Sequence, residues 1–408
     1  MNILYNLQVQ LVNCIKLLYV CSMLIKREIQ KELEKLMVDY PVVTITGPRQ
    51  SGKTTLAKMT FPEYNYCSLE NPEIRQLAEN DPNAFFKSFS QPLIIDEVQR
   101  VPQLLSYIQV IVDEKNENGL FLITGSHQLS LNEAVTQSLA GRTALLRLLP
   151  FSIKELLSAN IKLSRDKLMF SGFLPRIYDK KQNPSKAYRN YFQTYVERDL
   201  RQLLQVKNLS NFENFVRLLA GRVGQVINLH SLSGDLGVSA TTLSEWLSVL
   251  EASFLVFRLQ PYFENFGKRL MKSPKLYFTD VGLVCYLLGI ESPEQVTRDP
   301  LLGGIFENMV VMEAVKTSLN KGLDPNVFYF RDNNRNEVDL IFKKQRMLIP
   351  IEIKAAMTFN EKLLKGIKYF QRTSDQAQKG YLIYSGDLIF ENDSANVINF
   401  SDAYKIFE

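Results

Sequence analysis

Val42-Val-Thr-Ile-Thr-Gly47-Pro-Arg-Gln-Ser-Gly52-Lys53-Thr54-Thr55 is a short apolar strand running into a glycine-bounded loop and then a helix. Val42, Val43 and Ile45 form a β-branched run of the kind found in buried parallel strands. The segment Gly47 to Thr54 is a full match to the P-loop pattern, and Leu56-Ala-Lys-Met59 continues it as a helix. The spacing has a chemical reason. Glycines at both ends let consecutive backbone N–H groups curl round a phosphate with no Cβ in the way. The helix N-terminus beyond adds partial positive charge. The expected nucleotide cradle is therefore Gly47, Pro48, Arg49, Gln50, Ser51, Gly52, Lys53, Thr54 and Thr55. Within it Lys53 reaches the β- and γ-phosphates and the Thr54 hydroxyl serves a Mg²⁺ ion.

A second strand, Tyr64 to Leu69, and a helix, Pro72 to Asn80, follow. Pro92-Leu-Ile-Ile-Asp96-Glu97-Val98 is then an apolar strand ending in two carboxylates, the form of a Walker B strand. Paired with a P-loop, Asp96 is expected to hold the Mg²⁺ through its water shell and Glu97 to polarise the attacking water. The interval between Lys53 and Asp96 has room for a helix, a strand and another helix before the chain returns beside the first strand. Pro102 to Lys115 is amphipathic at helical spacing. Gly119 to His127 is the next strand, and its polar end is expected between the two Walker strands. Ser126 is the leading candidate for a γ-phosphate sensor there, with Thr124 and His127 next to it. Arg142, just before a strand from Thr143 to Leu149, is read either as an arginine finger or nucleotide sensor, or as half of a surface ion pair. A finger role demands a neighbouring subunit or a close approach within the chain.

Taken in order, Gly47-Pro-Arg-Gln-Ser-Gly-Lys-Thr-Thr, Leu93-Ile-Ile-Asp-Glu-Val-Gln, Leu122-Ile-Thr-Gly-Ser and Ser138-Leu-Ala-Gly-Arg142 resemble the AAA-type P-loop ATPase module of a widespread prokaryotic family. Its members join that module to a carboxy-terminal domain of unknown function, and the resemblance runs from about Met23 to the end. It implies a doubly wound parallel sheet with the additional-strand order of that class, and ATP rather than GTP as the nucleotide.

The composition agrees with a chain of several domains. It has 408 residues, 46% hydrophobic and 22% charged, which describes a globular protein. A net charge of +5 permits nucleic acid as a partner without arguing for it. Four cysteines without metal-like spacing favour a reducing, cytoplasmic setting, and two histidines argue against histidine-based metal sites or triads. Residues 1–24 are apolar but interrupted by Asn6, Gln8, Gln10 and Asn13, so neither a signal peptide nor a stable membrane span fits them. A peripheral helix, or an upstream extension of a protein starting at Met23, is the expectation.

The remaining architecture is read as an ATPase core over 25–150, a helical lid over 151–208, a winged helix over 209–280 and a restriction-endonuclease-like α/β domain over 281–408. The lid contains the turn Ser171-Gly172-Phe-Leu-Pro175 and a long amphipathic run from Tyr188 to Leu204 that includes Arg198. In the winged helix, helices Leu229–Leu236 and Ala240–Glu251 precede two strands flanking Lys268, Arg269 and Lys272. The outer face of the second helix (Thr241, Thr242, Ser244, Glu245, Ser248) lacks Arg and Lys, which argues against base reading. In the tail, Asp339, twelve residues and then Glu352-Ile-Lys354 resemble the core of restriction-endonuclease-like nucleases. Two adjacent antiparallel strands would bring Asp339 and Glu352 together round one Mg²⁺, with Lys354 beside the scissile phosphate and Glu307 as a helical acid.

Three functions follow from this reading. The first is an ATPase that repositions its winged helix and nuclease-like tail on DNA. The second is an ATP-gated, Mg²⁺-dependent nuclease. The third is a signalling switch holding a protein partner in its ATP state. A homo-oligomer is compatible with each.

Overall fold

The computed structural model describes residues 24–126, 138–194, 209–263 and 273–408. The expectations for residues 1–23, His127, Arg198, Lys268, Arg269 and Lys272 lie outside them.

A first helix, α1 (Gln30–Asp39), leads into β1 (Val42–Thr46), every residue of which is buried. The P-loop follows, then α2 (Lys53–Thr60), β2 (Asn65–Ser68), α3 (Pro72–Asn80) and α4 (Pro82–Ser88). Asn71 and Asp81 cap the last two helices through their side chains, and each precedes a proline. That is helix-start chemistry written in sequence. Next come β3 (Leu93–Asp96), α5 (Leu104–Lys115), β4 (Phe121–Gly125) and β5 (Thr143–Arg147). The five strands are parallel in the order β2-β3-β4-β1-β5. The additional strand β4 thus separates the two Walker strands. One expectation is corrected here: β3 returns beside β2 and β4, not beside β1. Apolar cores cover both faces of this sheet, one under α4 and α5 and the other under α1 and α2.

Four short helices follow: α6 (Ile153–Ser158), α7 (Arg165–Ser171), α8 (Pro175–Asp179) and α9 (Pro184–Tyr191). Then α10 (Leu209–Ala220), α11 (Leu229–Leu236) and α12 (Ala240–Ala252) precede an antiparallel pair, β6 (Val256–Leu259) and β7 (Lys275–Phe278). Thr241, Ser244, Glu245 and Ser248 are indeed exposed on α12. Two short helices missed in the sequence, α13 (Val281–Leu287) and α14 (Pro293–Arg298), lead to α15 (Leu302–Leu319).

The tail sheet has six strands. They are β8 (Val327–Arg331), β9 (Glu337–Lys344), β10 (Met347–Lys354), β11 (Gly380–Tyr384), β12 (Phe390–Glu391) and β13 (Ala395–Asn399). Their order is β12-β13-β11-β10-β9-β8, and α16 (Lys365–Thr373) packs on β9 and β10. The hairpin joins this sheet through backbone bonds, Tyr262 N–H to Tyr329 O at 2.7 Å and Tyr329 N–H to Gln260 O at 3.0 Å. One continuous apolar core runs from Leu149 to Phe407 through lid, middle and tail. Its pillar is α15, buried on every side from Ile305 to Leu319 apart from Glu307. A helix apolar all round belongs inside a protein.

Candidate functional site

The P-loop backbone has room for no side chain at its first glycine. A Cβ on Gly47, at φ +150°, would sit 2.1 Å from the Leu148 carbonyl oxygen. Gly52 closes the loop in the left-handed region, φ +94°, and starts α2. Between them the Ser51 hydroxyl is buried and without a hydrogen-bond partner among the described residues. A buried hydroxyl in that state is a group waiting for an acceptor.

Lys53, 6% exposed, donates to the carbonyls of Gly47 and Pro48 at 2.9 Å each. Burial pulls its ammonium down from 10.5 to about 8, with Glu97 and Asp96 opposing. Beside it the Thr54 hydroxyl lies 3.0 Å from both oxygens of Asp96. The hydroxyls of Tyr66, at 3.0 Å, and Thr124 also donate to Asp96. Burial and the Asp96 charge push the Tyr66 phenol up, so it stays a donor. Hard oxygen donors from Thr54 and Asp96, next to a buried lysine, fit Mg²⁺ accompanied by phosphate.

Glu97 follows β3 in the left-handed region, φ +60°, an uncommon place for a non-glycine residue. This turns its carboxylate off the strand and back toward β4. Ser126 donates to it at 3.1 Å, and Gln99 also donates to it. Ser126 therefore stands at the expected strand end, with its hydroxyl on Glu97. Thr124 bridges both acids, bonding Asp96 and accepting the Glu97 N–H at 3.4 Å.

A cavity of about 560 Å³ opens over this cradle, lined also by Leu24, Met59, Phe151, Arg176, Lys180 and Thr194. That is the size range of a small-molecule site. Helix α8 and the residue after it thus contribute two cations that the sequence reading missed, Arg176 and Lys180. The only local signal for Arg176 was its place after the Gly172-to-Pro175 turn. Arg27 was missed as well. Its guanidinium, 7% exposed, donates to Ser51 O at 2.7 Å, Leu149 O at 2.7 Å and Glu155 at 2.8 Å. It ties the P-loop to the segment that enters the lid.

Arg142 requires a correction. Thr143, the next residue, pairs with Val42 at the amino end of β1, while the P-loop leaves from its carboxyl end. Arg142 cannot reach its own chain's phosphates from there. It forms a forked pair with Asp113 at 2.6 and 2.8 Å.

In the tail, β9 and β10 are antiparallel with Ile351 opposite Leu340, which sets Glu352 opposite Asp339. The side chain of Lys354 joins them, 2.6 Å from Asp339 and 2.5 Å from Glu352. Burial and the Asp339 charge raise the Glu352 carboxyl. Asp339, though buried, is held low by the ammonium groups of Lys354 and Lys275. Glu307 does not join this pair as expected. It takes Lys275 at 3.0 Å and the Tyr277 hydroxyl at 2.6 Å. Among the described residues no three His, Cys, Asp or Glu side chains converge as metal ligands would. Nor, among those residues, is any helix long and apolar enough to cross a membrane.

Comparison with known proteins agrees with the P-loop reading. Residues 39–157 match an AAA domain family, and residues 163–294 and 302–403 match two domains of unknown function. The uncharacterized protein Rv2008c of Mycobacterium tuberculosis is 33% identical over 344 residues, covering 83% of this chain and 76% of its own. An uncharacterized protein of Haemophilus influenzae is 24% identical over 348 residues, covering 76% of this chain and 82% of its own. Among solved structures, the Walker-type ATPase PABY2304 of Pyrococcus abyssi is 14% identical at a TM-score of 0.44, covering 65% of this chain and 96% of that one. AMPPCP-bound DnaA of Aquifex aeolicus is 18% identical at 0.28, covering 55% of this chain and 85% of that one. The chain carries an AAA-type P-loop ATPase domain and belongs to the family of the mycobacterial protein Rv2008c.

Proposed function

We propose that the chain hydrolyses ATP with Mg²⁺ at the P-loop and uses the change in that site to move its lid against the helix–hairpin module and tail. The observation that carries this reading is the contact of Thr54 with Asp96 at 3.0 Å beside buried Lys53, under a cavity of nucleotide size. When bound, Mg²⁺ would neutralise phosphate charge between Thr54 and Asp96. Lys53 exchanges the Gly47 and Pro48 carbonyls for phosphate oxygens. Glu97, aimed by Ser126 and Gln99, accepts the proton of the attacking water. Arg176 and Lys180 approach the same charge from the lid, so nucleotide occupancy favours a closed lid. Arg142 is left to act across a subunit boundary, on a neighbour's nucleotide, in a homo-oligomer.

The test is paired. Lys53→Ala abolishes ATP binding, and Glu97→Gln binds ATP without turning it over; normal turnover by both purified variants would overturn the proposal. The ATPase rate with and without DNA then separates a DNA-acting machine from a switch that holds a protein partner, since only the first is accelerated. The outer face of α12, which carries no Arg or Lys, favours the protein partner for that module.

A second reading, a nuclease-like tail, is favoured by Asp339 and Glu352 facing each other across β9 and β10 with Lys354 between their carboxylates. Plasmid left intact with Mg²⁺ or Mn²⁺ and ATP would count against it.

A further inference from the structure

Three hydroxyls from three elements converge on Asp96. Thr54 on α2 lies 3.0 Å from both carboxylate oxygens, Thr124 on β4 donates to Oδ1, and Tyr66 on β2 donates to Oδ2 at 3.0 Å. Tyr66 lies in neither Walker motif. It reaches Asp96 because β2 and β3 are parallel, with Tyr66 beside Ile94 and Ser68 beside Asp96. Strand alternation then puts Tyr66 and Asp96 on one face of the sheet, two residues out of step. A tyrosine is long enough to span that offset. Lys58 stands over the ring, its ammonium 3.4 Å from the centroid. It follows Thr54 by one helical turn on α2, so the P-loop helix reaches Asp96 twice, directly through Thr54 and indirectly through Lys58 and Tyr66. Tyr66 is not among the residues lining the nucleotide cavity, and its contact is with the acid alone.

We propose that Tyr66 is a positioning residue for the Mg²⁺ of the nucleotide site: its hydroxyl fixes the Asp96 carboxylate beside Thr54, and Lys58 fixes the ring that carries the hydroxyl. This rests on the P-loop reading for what Asp96 and Thr54 hold. Thr54 cannot serve a cation and steady Asp96 by itself, because its one hydroxyl oxygen is then engaged by the metal. Thr124 and Tyr66 remain, one on each carboxylate oxygen, and two bonds on opposite oxygens fix the group in rotation as well as in place. With Tyr66 removed, Asp96 keeps only the bond on Oδ1 and can turn about it. Groups that orient a metal ligand in this way are worth about tenfold or more in metal affinity. The phosphates are outside this arrangement, since Lys53 and the P-loop amides take them. Tyr66 therefore bears on the metal complex of the nucleotide and not on the nucleotide alone.

The test is the affinity of the full chain for a fluorescent, non-hydrolysable ATP analogue, measured once with Mg²⁺ and once with EDTA. Tyr66→Phe, which keeps the ring under Lys58, is expected to bind the Mg²⁺ complex about tenfold more weakly than wild type and the metal-free analogue equally well. Lys58→Met is expected to show a smaller loss of the same kind, about threefold, because a cation over a ring at an exposed site is a modest interaction. Added to Tyr66→Phe it should cost nothing further, since its effect passes through the hydroxyl. Lys58 is exposed, so its variant carries the test should Tyr66→Phe not fold. A folded Tyr66→Phe with wild-type affinity for the Mg²⁺ complex overturns the proposal. So does an equal loss with and without Mg²⁺, which marks a merely structural role, and additive losses from the two variants remove the part given to Lys58. A wild type whose affinity ignores Mg²⁺ overturns the ATPase reading, and the proposal with it.

Discussion

Replacing Arg27 by methionine tests whether the P-loop is held from outside its own motif. The substitution keeps most of the buried stem and removes three donors, to Glu155, Ser51 O and Leu149 O, all at 2.7 to 2.8 Å. Taking one partner from a buried ion pair costs about 3–5 kcal/mol. Part of that returns because Glu155 still accepts the N–H groups of Ser152 and Glu28 at 2.9 Å each. The two orphaned carbonyls add about 1 kcal/mol each. The net expectation is a loss of about 4 kcal/mol, or a melting temperature lower by about 10 °C. Because Ser51 sits in the cradle, ATP affinity should also weaken about tenfold, the equivalent of one ordering hydrogen bond. Differential scanning fluorimetry and fluorescent-nucleotide binding read the two effects separately. Arg142→Met is the control, since its pair with Asp113 is exposed and should leave the melting temperature unchanged. A shift for Arg27→Met no larger than that control would refute the reasoning.

Glu97→Gln should lower the ATPase rate by at least about 100-fold while ATP still binds, and Lys53→Ala should bind none, checked by coupled assay and calorimetry. The depressed Lys53 sets a pH signature. Its folded value of about 8 lies below the ordinary 10.5, so the unfolded chain holds more protons between those values and stability rises with pH across that window. Phosphate binding restores the charge. ATP should therefore take up close to one proton at pH 9 and none at pH 7, and calorimetry in two buffers of different ionisation enthalpy that shows no uptake at pH 9 would contradict a neutral lysine there. Gly47→Ala should disrupt the P-loop, because its Cβ would meet Leu148 O at 2.1 Å; ATP affinity within twofold of wild type would contradict that.

The sequence carried the parts whose cause is local. Glycines, caps and β-branched runs located the P-loop, the Walker B acids and helices such as α3, α5, α11 and α12 to within a residue or two, since those depend on neighbours along the chain. Register across a sheet is not local. Nothing near Arg142 says that Thr143 pairs with the amino end of β1, so its distance from the phosphates was invisible. The same holds for Glu307. It was read as a partner of Asp339 from its place on a helix, but Lys275, on a strand of another module, is what meets it. The lid cations Arg176 and Lys180, and Arg27 before the first helix, become site residues only once the chain is folded over the cradle. One clue was available and unread. Glu313 and Lys316 interrupt an otherwise apolar α15, and charges inside a buried helix imply partners.

Those partners tie the wall of the nucleotide cavity to the helix that meets Lys275. Glu313 accepts the N–H groups of Ile153 at 2.8 Å and Lys154 at 3.2 Å, and Lys316 donates to the carbonyl of Phe151, a wall of the nucleotide cavity, at 2.7 Å. Burial raises Glu313 to about 7 and lowers Lys316, so the helix carries these charges at a cost that the contacts must offset. Two turns back along α15, about 9–13 Å at the helical rise, Glu307 holds Lys275. A helix close-packed on all sides transmits displacement instead of absorbing it. A shift of the segment Leu149–Glu155 on nucleotide binding therefore has two outcomes. Either the bonds from Glu313 and Lys316 break, leaving buried charges unpaired, or α15 moves and strains the grip on Lys275. The second costs less, because Lys275 keeps Glu337 when Glu307 is pulled away.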